Sequence, residues 1–259
     1  MILADQASDD ASIWQLVESC GYTADLEVWT GLAAGAGSVL DLGCGIGRVA
    51  RHLADGNRDV VGVDHDPAMI ADLNRLATEP RVTGVTADVT ALSAAVPGRE
   101  RFDLVVAPQQ LLHIVGGPEN RRRLLSGAAA RLAPGGIAAF AIHEWTPGES
   151  QAVDVLPDVR ELGEWVYASR PVRVEDDGDS LTVIRLRQVV APDGTLDETH
   201  DAITLDRIGR ETCVAELAAA GLTVERTIEI PQTDRHIGSI VLVARQMTAD
   251  DPASLGSDG

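Results

Sequence analysis

The feature that most constrains the fold is an alternation of short apolar runs with helix-periodic segments between residues 38 and 141. The apolar runs are rich in β-branched residues and predict strands, whereas the segments between them carry apolar residues at three- and four-residue spacing. Strands that alternate with helices in this way are typical of a doubly wound parallel sheet. The sequence therefore predicts an α/β fold. The runs are SVLDLG, DVVGVD, RVTGVTADV, FDLVVA and GGIAAFAIHE.

A different pattern follows this region. The stretches GEWVYASRPVRVE, SLTVIRLRQVVA and TLDETHDAITLDRI predict a three-stranded antiparallel meander, because DDGD and PDGT between them are hairpin-turn sequences. A helical segment and two strands then close the fold. The predicted division of the chain is an N-terminal helical segment 1–37, a core 38–144, an antiparallel β insertion 145–208, closing elements 209–247 and a disordered tail 248–259.

The net charge and the cysteine content of the chain limit the ligands and partners that it is expected to bind. A formal net charge of -19 disfavours nucleic acid and anionic membrane surfaces. The basic run Arg121–Arg123 is expected to be a solvated helix face. Three scattered cysteines indicate neither a disulfide framework nor a zinc site, so a reducing cytoplasm and no metal are expected. The N-terminus is acidic, unlike a signal peptide, and no apolar run approaches the roughly 18 residues of a membrane span.

The first apolar run leads into a glycine-rich turn. It ends in Asp41, and Gly43, Gly45 and Gly47 follow before a helical segment begins. Glycines let a backbone approach a ligand closely. Dinucleotide sites use the spacing G-x-G-x-x-G to hold a pyrophosphate, whereas here G-x-G-x-G follows a carboxylate. That carboxylate would repel a pyrophosphate and attract a cation, so a cationic ligand is predicted.

The stretch VLDLGCGIGR resembles the first motif of the class I S-adenosylmethionine-dependent methyltransferases. The resemblance covers roughly Ser38 to His143 and, more loosely, the elements after Gly209. It implies a Rossmann-like, doubly wound, seven-stranded mostly parallel sheet whose last strand is reversed. It also implies S-adenosylmethionine as cofactor and an N-terminal lid over it. The antiparallel β insertion is not shared by all class I enzymes, and we expect it to cover the active-site mouth.

The resemblance assigns cofactor contacts at the ends of successive strands. Asp64, in VVGVDHDPAMI, would accept the ribose hydroxyls, and Asp88 in TADVTAL would accept the adenine amino group. Met69 has helix packing as its alternative, and Asp88 has a turn-forming role. The full predicted set is Asp41, Gly43, Cys44, Gly45, Asp64, His65, Met69, Asp88, Val89, Ala107 and Gln109, with Cys44 alternatively a small apolar filler.

Two residues are candidates for catalysis. His113 falls where similar small-molecule methyltransferases carry a histidine after the fourth strand, and its ordinary pKa near 6.5 suits proton removal. The alternative is a capping or packed histidine. Glu144 follows the fifth strand and could orient a polar substrate, or it could cap the next loop. The aromatic faces of Trp14, Tyr22 and Trp29 could contact a sulfonium, or simply pack.

The sequence thus predicts a cytoplasmic enzyme that transfers a methyl group in line to a hydroxyl or amine of a small molecule. Two alternatives remain open. One is a non-methylating use of the same cofactor, by cyclisation or aminocarboxypropyl transfer, and the other is a non-catalytic cofactor-binding regulatory protein. Exposed strand edges in the predicted insertion would need covering, which makes a homodimer plausible.

Overall fold

Two β-sheets organise the protein in a computed structural model that describes residues 11–19, 21–54, 58–94, 99–144, 155–233 and 236–248. The helices are α1 (Ala11–Glu18), α2 (Leu26–Leu32), α3 (Arg48–Leu53), α4 (Pro67–Leu76), α5 (Leu111–Ile114), α6 (Gly117–Ala130) and α7 (Arg210–Ala219), with a 3₁₀ turn at Val89–Ala94. The strands are β1 (Ser38–Leu42), β2 (Asp59–Asp64), β3 (Val82–Thr86), β4 (Phe102–Ala107), β5 (Leu132–Ile142), β6 (Asp158–Leu162), β7 (Trp165–Asp176), β8 (Ser180–Val190), β9 (Leu196–Asp206), β10 (Leu222–Ile230) and β11 (Ser239–Gln246).

The larger sheet has seven strands in the order β10-β11-β5-β4-β1-β2-β3. Strands β1 to β5 are parallel, and β11 lies antiparallel between β5 and β10. The predicted α/β, Rossmann-like, seven-stranded sheet is therefore confirmed. The strand order changes direction between β1 and β4, and in open α/β sheets a ligand binds at the carboxyl edge beside such a switch point.

Strand β1 shows why this sheet is central. All five residues of SVLDL are buried, because β2 and β4 flank the strand and helices cover both faces. One face packs Trp29, Leu53 and Leu73 against the sheet. The other packs apolar side chains of α5, α6 and α7, such as Leu112 and Leu217. The sheet is thus a rigid base for the loops at its carboxyl edge.

The second sheet lies within the predicted insertion and has the antiparallel order β6-β7-β8-β9. The prediction of three strands was incomplete, because β6 was missed. Its sequence DVREL is short and mostly charged, so it lacks the apolar alternation that marks a half-buried strand. Helix α1 packs on this sheet through an apolar cluster of Ile13, Trp14, Val17, Tyr167 and Val189.

The basic run on α6 does not form one solvated face. Arg121 is buried, and its guanidinium donates to Asp206 Oδ2 at 2.6 Å and to Glu216 Oε2 at 2.9 Å. The prediction was wrong for this residue, because acids distant in the sequence surround it. Arg122 and Arg123 are exposed, as expected, and both pair with Glu119.

Some predicted features lie outside the described residues. These include Cys20, Trp145, the first part of the insertion at 145–154 and the proposed tail at 249–259. Within the described ranges, no helix combines the length and apolarity needed to cross a membrane.

Candidate active site

The glycine loop after β1 has the backbone that its sequence predicts. Gly43, Gly45 and Gly47 have φ values of 64°, 52° and 81°, a left-handed conformation that residues with a Cβ rarely adopt. A Cβ on Gly43 would lie 2.8 Å from Leu111 Cδ1, and one on Gly45 would overlap the carboxamide of Gln15. Side chains at these two positions would therefore clash with Leu111 and Gln15, which pack against the loop.

Asp41 lies at the base of this loop, near the backbone N–H of Ala50 and the guanidinium of Arg48. It is buried, and neither carboxylate oxygen has a hydrogen-bond partner among the residues that the structure describes. Burial raises the pKa of Asp41 to about 7, and the nearby Arg48 guanidinium only partly opposes that shift. Because a buried carboxylate without a partner is costly, the site fits a ligand that brings a cation or a hydrogen-bond donor.

A small pocket opens beside Asp41. The predicted residues Asp41, Gly43, Cys44 and Gln109 line it. Four lining residues were not predicted, namely Gln15, Ser19, Arg48 and Val49, and Pro108 lies between the predicted residues Ala107 and Gln109. Arg48 and Val49 directly follow the glycine motif, so the sequence carried a signal for them. Gln15 and Ser19 come from the α1 segment, and their sequence context carries no such signal.

Arg48 is held by the segment before β1. Its guanidinium donates two hydrogen bonds of 2.7 Å to the Asp25 carboxylate and one of 2.9 Å to the carbonyl of Tyr22. Trp29 Nε1 also donates to Asp25 Oδ2, at 2.8 Å. A two-point contact between buried charged groups fixes both partners in orientation. The segment that leads into α2 is therefore attached to the start of α3, next to the pocket.

Asp64 connects the end of β2 to the glycine loop. Its Oδ2 accepts from the N–H of Gly45 at 2.9 Å, and its Oδ1 accepts from the N–H of Asp66 at 3.0 Å. Its neighbour His65 has a largely exposed side chain, 87% accessible. Met69 is half-buried on α4, where its sulfur accepts from Ser12 Oγ. Packing against α1 is thus one observed role of Met69.

Asp88 and Val89 lie after β3, on the same carboxyl edge as Asp64. The N–H of Ala87 donates to the carbonyl of Asp64 at 2.8 Å and joins the two strand ends. Asp88 Oδ1 accepts from the N–H and hydroxyl of Thr90, and these bonds lower the pKa of the exposed Asp88 carboxyl. Asp88 therefore forms a local turn, and its charge stays available at neutral pH.

The end of β4 supplies the opposite wall of the pocket. Ala107 is the buried last residue of the strand, and Gln109 follows with a φ of 57°. Among the described residues, Gln109 is the one non-glycine with positive φ. Strained backbone of this kind is concentrated at functional sites, and Gln109 lines the pocket that the glycine loop also lines.

His113 does not line the pocket beside Asp41. It is buried on α5, its Nε2 accepts from the N–H of His143 at 3.0 Å, and its Nδ1 lies 2.9 Å from the carbonyl of Asp206. Both ring nitrogens are therefore committed to backbone groups, and burial lowers the pKa of the imidazole. The packed-histidine alternative accounts for these contacts, and the expected catalytic role has no support in them.

Glu144 is bonded to the start of α7. Its carboxylate accepts from the backbone N–H of Arg210 at 3.3 Å and pairs with the same residue's guanidinium at 3.2 Å. Glu144 thus fixes the chain after β5 to the start of α7, a contact that neither expectation named, and the loop that it was expected to cap lies outside the described residues. It does not line the pocket.

The N-terminal aromatic residues are mainly packing residues. Trp14 and Trp29 are buried, and Trp14 makes an edge contact with Tyr167 at a centroid distance of 5.8 Å. Tyr22 lies against His236 at 4.7 Å and beneath the Arg48 guanidinium at 5.3 Å. The contacts of these three aromatic side chains are therefore those expected of packing residues.

The central segment of the chain is similar in sequence to a known protein family. Residues 39–136 match the family described as "Methyltransferase domain". A ubiquinone biosynthesis O-methyltransferase of Methylobacterium nodulans is 34% identical over 102 residues, which cover 39% of this chain and 38% of that protein. The chain thus spans about two fifths of the length of the curated relative that it matches.

Solved structures extend the likeness to nearly the whole chain. The amino pentose methyltransferase CalS10 of Micromonospora echinaspora, with S-adenosylmethionine bound, is 22% identical, with a TM-score of 0.70 and coverage of 93% of this chain and 100% of that one. The sugar N-methyltransferase KedS8 of Streptoalloteichus sp is 24% identical, with a TM-score of 0.66 and coverage of 95% and 97%. At these identities the likeness shows the fold.

Proposed function

We propose that this chain, whose residues 39–136 belong to the methyltransferase domain family, transfers a methyl group from S-adenosylmethionine to an amine or hydroxyl of a small molecule. Membership of that family confirms the predicted resemblance to class I methyltransferases and the predicted enzyme class. The cofactor and the acceptor group are the parts that we propose for this chain.

The observation that carries the proposal is the unpartnered carboxylate of Asp41 below the glycine loop. A pyrophosphate would meet this negative charge without a compensating donor, whereas a cationic cofactor would supply the missing partner. When bound, S-adenosylmethionine supplies an electrophilic methyl group on a sulfonium. Asp41, Gly43 and Gln109 would border its amino-acid end, with Asp64 toward the ribose and Asp88 toward the adenine.

The chain's contribution to the reaction is mainly positioning. An in-line transfer needs the acceptor aligned with the methyl group and water excluded. The rigid ends of β1 and β4 and the α1 segment around the pocket support such alignment. Because His113 and Glu144 are bonded to other groups, we favour an amine acceptor. An amine that has lost its ammonium proton to solvent can attack without a protein base, and the proton of the methylated product also leaves to solvent.

The remaining expectations are part of the same proposal. The named relatives act on different acceptors: the curated one is an O-methyltransferase, and the two solved structures are amino pentose and sugar N-methyltransferases. A small-molecule acceptor is consistent with all three names and with a net charge of -19, which disfavours nucleic acid. A cytoplasmic location and a homodimer through the second sheet complete the proposal.

Product analysis tests this function. The protein is incubated with S-adenosylmethionine and a panel of amino sugars, simple amines and hydroxylated aromatics, and the nucleoside product is identified by chromatography. Acceptor-dependent S-adenosylhomocysteine is expected. Methylthioadenosine as the main product, or tight cofactor binding without turnover on the panel, would contradict methyl transfer.

A matched pair of variants links the turnover to the site. Asp64→Asn should weaken cofactor binding at least tenfold, since it removes a charged acceptor. Asp72→Asn is the control, because Asp72 pairs with Arg75 within α4, and it should keep normal binding.

A further inference from the structure

One backbone donor in the glycine loop is satisfied by a side chain of α1. Within residues 44–47, the N–H groups of Cys44 and Gly45 donate to β2, and that of Gly47 donates to the carbonyl of Cys44. The N–H of Ile46 instead donates to Gln15 Oε1, at 2.6 Å. Ile46 therefore carries the donor of this loop segment that a ligand could take over without disturbing the sheet.

Contacts with the second sheet position Gln15 beside the glycine loop. Its helix, α1, packs through Trp14 on Tyr167 of β7. Glu18, one turn further on, accepts from Ser169 Oγ and Arg187 Nε at 2.8 Å each. The position of Gln15 is thus set by contacts on β7 and β8, whereas its carboxamide lies over Gly45.

The space that Gln15 occupies has complementary polar groups. The N–H of Ile46 offers a donor for an anionic oxygen, and the unpartnered Asp41 carboxylate borders the same pocket. An amino-acid group carries both a carboxylate and an ammonium, so it matches this pair. An oxygen of that carboxylate on the Ile46 N–H cannot coexist with Gln15 Oε1 at 2.6 Å from the same nitrogen.

We propose that Gln15 is a placeholder for the ligand's carboxylate, which holds the Ile46 N–H and must leave when the amino-acid end of the cofactor binds. This inference rests on the proposed function. It makes Gln15 a selective competitor: ligands with an amino-acid end must displace it, and adenosine ligands that lack this end do not. Gln15 also links the cofactor site to the second sheet through α1.

Isothermal titration with two probes tests the placeholder role. S-adenosylhomocysteine carries the amino-acid end, and methylthioadenosine lacks it. Gln15→Ala should bind S-adenosylhomocysteine about three to ten times more tightly than the wild type, because a neutral hydrogen bond no longer has to be broken. Its affinity for methylthioadenosine should be unchanged. Gln15→Asn, with a side chain too short to reach Ile46, should behave in the same way and guards against a folding defect in the first variant.

The control is Gln188→Ala, which removes a glutamine of β8 that bonds Glu198 and should change neither affinity. Weaker or unchanged S-adenosylhomocysteine binding by both Gln15 variants, or an equal change for both probes, would overturn the placeholder role. If the wild type bound neither probe, the proposed function would fail instead, so the two failures are distinguishable.

Discussion

Asp41 is the residue on which the account of the site most depends. Its side chain is buried in a strand that other elements cover on both faces, and neither of its two oxygens accepts a hydrogen bond of ordinary length from the described residues. The free protein therefore keeps a group whose ionised form is poorly solvated. The buried carboxylate of Asp41 thus lowers the stability of the ligand-free protein, and a cationic ligand beside it would remove that cost.

The pH dependence of stability should report this cost. The pKa of Asp41 is raised to about 7 in the folded chain, so between about pH 4 and about pH 7 the folded state holds a proton that the unfolded state has lost. Stability from this group is present at low pH and is lost as the pH rises through 7. Relative to Asp41→Asn, the wild-type free energy of unfolding should fall by about 3 kcal/mol between about pH 5 and about pH 8.

Urea unfolding of both ligand-free proteins at the two pH values measures this difference. Parallel pH profiles for wild type and Asp41→Asn would show that Asp41 is ionised and solvated in the folded chain. Asp41→Asn should also bind S-adenosylmethionine more weakly, because it lacks the charge that faces the ligand. Unfolding without ligand reports the stability effect, and titration of the folded protein reports the ligand contact.

At the residue scale, sequence reasoning succeeded where the signal is local. Asp41 lies at the end of β1, Gly43 and Cys44 follow that strand, Gln109 follows β4, and all four line one pocket. His113 and Glu144 also follow strand ends, but their partners Asp206 and Arg210 lie far along the chain. No local pattern shows whether a polar side chain is already bonded to a distant element.

At the element scale, α1 belongs with the second sheet. Glu18 is largely buried and receives hydrogen bonds from Ser169 and Arg187, while Arg187 lies over the Trp14 ring at 4.9 Å. Charge and ring contacts thus reinforce the apolar cluster beneath the helix. An eight-residue helix needs such tertiary contacts to be stable.

Glu18→Gln should loosen α1 without unfolding the larger sheet. Loss of a partly buried charged acceptor shared by Ser169 and Arg187 should lower the free energy of local opening of α1 by about 2 kcal/mol. Amide hydrogen exchange of the α1 residues measures it.

The matched control is Glu119→Gln on α6. Glu119 also pairs with two arginines, but all three side chains are more than half exposed. Glu119→Gln should leave the amide exchange of α6 unchanged, because solvent screens exposed ion pairs. Equal effects of the two substitutions would show that the Glu18 contacts do not hold α1.

Element identities were predicted well where apolar periodicity is strong, as in β1 and β4. They were predicted poorly where charge hides a strand, as in β6, or where a buried ion pair uses an apparently solvated helix face, as at Arg121. In both cases tertiary partners override the local pattern.

At the scale of the whole molecule, three parts meet at the carboxyl edge of the seven-stranded sheet. The sheet supplies the glycine loop, Asp64 and Asp88. The segment around α2 holds Arg48 through Asp25, and α1 brings Gln15 from the second sheet. The sequence could predict the first part, because its motif is continuous. The other two arise from contacts across the chain.

The most direct test of the account is isothermal titration of the full chain with S-adenosylmethionine and S-adenosylhomocysteine, with NAD and NADP as controls. The charge of Asp41 and the spacing of the glycines predict saturable binding of the two adenosyl amino acids and none of the dinucleotides. Binding of NAD or NADP without binding of S-adenosylmethionine would contradict the cationic-ligand site and the function built on it.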